Sequence, residues 1–205
     1  MPDTSAKSRS GLRSDAALNV RRILDAGREV LQENPQASAE DVARAAGLGV
    51  ATLYRRFPTR EDLLRAVVWD IFDTEMAPAL ARAEAAEDPR DGVRIAFEEG
   101  LRATSRNGLH FPVGITLEII QSSFIDPVSR MVRRAQKQRL MRADLEPEKD
   151  MLRILLMLLS IVPTLNRGSD GWMRYLQMVM DWLMVTPMQI LPPAEAVVDP
   201  FPSMR

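Results

Sequence analysis

The chain has 205 residues, with 27 Lys and Arg against 28 Asp and Glu, one histidine, no cysteine and a formal net charge of -1. That length suits one domain, or a small domain joined to a larger one. The lack of cysteine excludes disulfides, thiolate zinc sites and thiol redox chemistry, and the near-neutral charge excludes a non-specific nucleic-acid coat, so any DNA contact must be local and geometric.

Residues 1–15 read as a disordered arm carrying Lys7, Arg9 and Arg13. A solvated tail explains it more cheaply than a basic arm laid along DNA. The stretch has no apolar run and so no secretory signal. A first helix is predicted from about Ala17 to Glu33, because Val20, Ile23, Leu24, Gly27, Val30 and Leu31 recur at three and four residues. Asn34-Pro35 ends it, since the residue before proline avoids the helical region. Ser38 and Asp41 then form a capping box for a second helix, with Val42, Ala45 and Ala46 inward and Gly47 closing it in the left-handed region.

A third helix is expected from Val50 to Phe57, with Val50, Leu53 and Phe57 as its buried stripe and Ala51, Thr52, Tyr54 and Arg55 outside. Pro58 stops it, and Thr59 with Asp62 caps a fourth helix that reaches about Met76, just before Pro78. Two short helices joined by a glycine turn fit a helix-turn-helix whose second member enters the major groove. Thr52 and Arg55 suit base edges. Tyr54, Thr59 and Arg60 suit phosphates, Arg56 completes the contacting set, and Gly49 leaves the helix N-terminus open. By spacing alone, an ordinary helical hairpin with a solvated face explains the segment equally well.

The remainder reads as helical. Asp88-Pro89 opens a helix with Val93, Ala96, Phe97, Gly100 and Leu101 inward, and Asn107-Gly108 breaks it. An apolar segment from Phe111 to Ile120 follows, then Asp126-Pro127 opens a helix with an arginine-rich outer face. Met151–Leu165 and Trp172–Val185 are apolar on nearly every side, so either they lie deep in the core or a second subunit covers them. Met151–Leu165, the greasiest stretch, is too short to span a bilayer and contains Arg153 and Pro163. Prolines 187, 192, 193, 200 and 202 make the end a loose tail. The expected organisation is an all-α chain with an arm over 1–15, a helix-turn-helix domain over 16–63, a larger helical domain over 64–186 and a Pro-rich tail over 187–205. No phosphate loop, metal-ligand motif or catalytic pair stands out, so no enzyme and no cofactor is expected. A soluble, cytoplasmic protein follows.

Residues 46–63 resemble the signature of the TetR family of bacterial transcriptional regulators, roughly Ala-Gly-Val-Ser-x-Gly-Thr-Leu-Tyr-x-x-Phe-x-x-Lys-Glu-x-Leu. Ala46, Gly47, Thr52, Leu53, Tyr54, Phe57, Glu61 and Leu63 match it outright, while Leu48 stands for Val and Arg60 for Lys. Gly49 replaces the usual Ser and Ala51 replaces Gly. The resemblance implies a homodimeric repressor joined through its last two long helices and bound to a pseudo-palindromic operator. It further implies an apolar small-molecule effector in the C-terminal domain, with the fourth helix as lever. Phe97, Leu101, Phe124 and Trp172 are candidates to line that pocket, as are His110, Phe111, Ile115 and Ile119, with Met131 and Met157 as adaptable filler. Taken singly, each is better explained as plain core, and His110 as a capping or surface residue. The alternative is a helical protein-interaction module that uses the arginine-rich face over 130–142 for an acidic partner.

Overall fold

Every regular element in the described residues of this computed structural model is helical, as expected. The structure describes residues 4–107, 113–166, 168–184 and 191, without the side chains of 4–14 and 113. The chain divides into two compact units, Met1–Asp70 and Ile71–Arg205. The sequence places that boundary seven residues earlier, after Leu63. Val67 and Val68 are buried, and Asp70 takes Arg21 at 2.7 Å and Arg28 at 3.3 Å, so these residues go with the first unit.

In the first unit, α1 (Thr4–Glu33) begins well before Ala17. Residues 4–15, expected to be a disordered arm, continue the helix. They contain no proline, and Ala6, Lys7, Arg9, Leu12 and Arg13 all tolerate helical geometry, although no apolar stripe announces it. Helix α2 (Ala39–Ala45) starts at the expected capping box: the Asp41 amide donates to Ser38 Oγ at 3.1 Å, and the Ser38 amide to Asp41 Oδ2 at 3.0 Å. Gly47, at φ 64°, makes the turn into α3 (Val50–Arg56), where a side chain would be strained. Val42 and Ala46 are buried as expected, and Ala43 takes the inward place expected of Ala45, which is exposed. Ile23, Leu31, Val42, Leu53, Leu63 and Val67 are all nearly inaccessible and form this unit's core.

Helix α4 (Arg60–Ile71) does not stop before Pro78. It passes through a π-turn (Phe72–Met76) into α5 (Ala77–Glu84). A proline inside a helix lacks the N–H for the residue four back, and its ring collides with that carbonyl. The wider turn just before Pro78 shifts the hydrogen-bond register, and the Ala77 amide reaches five residues back to the Phe72 carbonyl. The same device recurs downstream. Helix α7 (Val113–Ile119) enters a π-turn (Ile120–Ile125) that ends two residues before Pro127, and α8 (Asp126–Lys137) continues it. Asp126-Pro127 therefore sits within a helical run and does not open a new one.

In the second unit, α6 (Pro89–Asn107) packs against α5 and α8, and α8 packs against α9 (Pro147–Leu159). At Gly92 α6 lies tight against α5: a Cβ there would lie 2.5 Å from the Ala83 carbonyl oxygen. A 3₁₀ turn (Val162–Thr164) at Pro163 and then α10 (Met173–Met184) follow. In the segment read as a tail, the Leu191 amide donates to Asp144 Oδ2 at 2.9 Å. The rest of that segment lies outside the described residues.

Candidate nucleic-acid interface

The outward face of α3 rests on a single deep anchor. Leu53 is 0% exposed, and Phe57, just beyond the helix, is 8% exposed. Val50 is 39% exposed and is no part of the buried stripe. Phe57 has φ -126° and ψ 90°, off the helical path, so helical spacing does not place Val50 beside it. With Leu53 turned inward, Ala51, Tyr54, Arg55 and Arg56 are exposed and Thr52 is half-buried. The N-cap Gly49 has no side-chain cap, leaving the start of α3 bare.

The six residues expected to touch DNA fall into two groups. Thr52, Tyr54, Arg55 and Arg56 share α3. Thr59 and Arg60 are occupied in contacts within their own unit. Thr59 Oγ1 donates to Asp62 Oδ2 at 2.7 Å and accepts from the Asp62 amide at 3.0 Å, capping α4. Arg60 donates to the carbonyls of Pro35 at 2.9 Å and Ala37 at 3.2 Å, bracing the loop between α1 and α2. Tyr54 is also engaged: its hydroxyl donates to Glu40 Oε1 at 2.8 Å, a contact no sequence pattern announces. Hydrogen bonds from its own amide and from Tyr54 hold the Glu40 carboxyl below the usual range, while that carboxylate pushes the Tyr54 phenol up.

Among the candidate pocket residues, Phe97, Leu101, Phe124 and Trp172 join one continuous core of the second unit. Phe97 and Phe124 meet edge to face, with ring centroids 6.0 Å apart. Ile115 and Ile119 on α7 are also buried, and so is Met131. His110 and Phe111 lie outside the described residues. Met157 is 53% exposed on α9, so it is not core filler. Trp172 Nε1 and Ser129 Oγ are buried and have no hydrogen-bond partner among the described residues.

The arginine-rich face of α8 is largely spent within its own unit. Arg130 pairs with Glu84 at 2.6 Å, and Arg133 donates to Glu148 at 2.7 Å. Arg134 holds the carbonyls of Ala86 and Glu87. Arg142 is buried against Asp144 at 2.7 Å and stacks on Trp182, 4.5 Å from the ring centroid. A cation already paired gains little by meeting an acidic partner, which removes the main support for the interaction-module alternative. No helix among the described residues is long and apolar enough to cross a membrane.

Residues 23–67 match the model for bacterial regulatory proteins of the tetR family. The HTH-type transcriptional repressor LfrR of Mycolicibacterium smegmatis is 41% identical over 88 residues. That match covers 43% of this chain and 44% of LfrR, so the chain spans less than half the length of that relative. The fold extends further than the sequence likeness. RolR, solved in complex with resorcinol, superposes with a TM-score of 0.65 at 16% identity, covering 85% of this chain and 91% of RolR. AibR, solved with isovaleryl coenzyme A and operator DNA, gives 0.59 at 16% identity, covering 81% and 98%. The match to the tetR family of bacterial regulatory proteins thus falls on the N-terminal unit, over the residues that include the signature from Ala46 to Leu63.

Proposed function

We propose that the chain is a DNA-binding transcriptional regulator, a homodimeric repressor released from a pseudo-palindromic operator by a small-molecule effector. The observation that carries this reading is the outward face of α3: Leu53 is buried beneath it, and Thr52, Tyr54, Arg55 and Arg56 stand on it. Thr52 and Arg55 would read base edges, and Tyr54 and Arg56 would meet phosphates. Thr59 would keep the adjoining turn in shape, and Arg60 the loop between α1 and α2. LfrR is a repressor by name, and AibR was solved on operator DNA, which favours the same activity here.

Dimerisation is supported by apolar side chains left uncovered on the last two long helices. Leu156 and Met157 on α9, with Met173, Tyr175, Met178 and Trp182 on α10, are each at least 36% exposed. Apolar side chains exposed in this number on two helices call for a second protein surface, and a second copy of the chain meets that need with two-fold symmetry. The effector would be largely apolar and would enter the core around Phe97 and Phe124. It must bind the DNA-competent and DNA-incompetent conformers unequally, or nothing moves. Footprinting of purified protein on the DNA upstream of its own gene tests the reading. A protected two-fold site supports it, and no protection at any concentration that saturates a dimer refutes it.

A further inference from the structure

The phenol of Tyr54 has one proton to donate, and in the free protein that proton goes to a carboxylate. Tyr54 lies on α3 and Glu40 in the first turn of α2, with 2.8 Å between the two oxygens. A phosphate oxygen carries no proton, so a Tyr54–phosphate hydrogen bond needs the same phenolic proton. The two bonds exclude each other. We propose that Glu40 competes with a DNA phosphate for Tyr54, so that this α2 carboxylate sets the affinity of the α3 surface for duplex DNA from within the protein. The inference rests on the DNA-binding reading above and deepens it.

Two further observations agree. Tyr54 is 37% exposed, so its ring can leave Glu40 without opening the core. Glu40 is held ionised by its own amide and by the phenol, so the acceptor that DNA must displace is a full charge. That charge also sits beside the place an approaching phosphate would take, and it repels it at short range. Breaking the Glu40 bond is therefore a cost of binding, and only a duplex making good contacts through Thr52 and Arg55 would repay it. Glu40 would thus disfavour non-specific DNA most.

The test is a double-mutant cycle on the full chain, read by fluorescence anisotropy. The probes are a duplex enriched by the wild-type protein from a random pool and an unrelated duplex of equal length. Glu40→Ala is expected to tighten binding about three- to tenfold, more on the unrelated duplex. Tyr54→Phe should weaken the wild type, and in that background Glu40→Ala should change affinity by less than about twofold. An equal gain in both backgrounds would reduce Glu40 to a general surface charge and overturn the proposal. So would a loss of affinity in Glu40→Ala, which would make Glu40 a brace that orients Tyr54 for DNA. If the wild type binds neither duplex, the DNA reading itself fails, an outcome distinct from both of these. Glu40 is not in the core, so matching far-UV circular dichroism and melting curves suffice to show that the variants fold.

Discussion

Replacing Leu53 by alanine should loosen the first unit and leave the second intact. The side chain is 0% exposed, wedged among the helices of a unit spanning only Met1–Asp70. Removing three buried carbons at such a site costs about 3 kcal/mol, the lost transfer energy plus the cavity left behind. A unit of this length has a total stability of roughly 3–10 kcal/mol. The substitution therefore consumes a large fraction of it, and α3 loses its only deep anchor. Val50, 39% exposed on the same helix, provides the control: Val50→Ala should cost less than about 0.5 kcal/mol. Hydrogen exchange resolved by peptide checks both variants. Leu53→Ala should speed exchange across 39–57 while 147–184 stays protected, and Val50→Ala should change neither. Equal effects from the two substitutions would refute the burial argument, as would faster exchange confined to the second unit.

Arg60→Ala should lower the urea midpoint of the first unit by the equivalent of about 1–2 kcal/mol, because the carbonyls of Pro35 and Ala37 lose their donor. A change only in the salt dependence of DNA binding would instead make Arg60 a phosphate contact. Gly92→Ala should destabilise the second unit by about 1–3 kcal/mol, since the new Cβ meets a backbone carbonyl that cannot rotate away; calorimetry would show it. Asp144, hydrogen-bonded by Arg142, is lowered from 3.8 to about 2. Its contribution is present above the unfolded value and lost as pH falls through the folded one. Stability lost between about pH 4 and pH 2 should therefore shrink in Asp144→Asn, which should also be weaker near pH 7 for leaving Arg142 buried without its carboxylate. A variant with an unchanged acid profile would contradict this.

Several features governed by neighbours three or four residues away were legible in the sequence, although Val50 and Ala45, inward by the same spacing, are exposed. The Ser38–Asp41 capping box, the left-handed Gly47 and the buried Leu53 all obey local rules, and each stands where those rules put it. The family signature made the candidate face of α3 legible too. Three things were not. The N-terminal extension of α1 has helix-tolerant residues but no apolar period, so nothing in it distinguishes helix from tail. Pro78 and Pro127 read as breaks, because a sequence does not reveal that a π-turn will absorb a proline. The bond from Tyr54 to Glu40 and the bracing of the α1–α2 loop by Arg60 join residues 14 to 25 positions apart on different elements, where periodicity carries no information.

The most direct test selects DNA from a random pool with the wild-type chain and repeats the selection with Arg55→Ala. The wild type should enrich a pseudo-palindrome whose half-sites lie about one helical turn apart, roughly 34–36 Å, bound by two copies of the chain with affinity that falls steeply with salt. Arg55→Ala should relax the preference at one position of each half-site. Enrichment of no sequence, or of a site without two-fold symmetry bound by a single chain, would contradict the assignment of α3 as the reading element of a dimer.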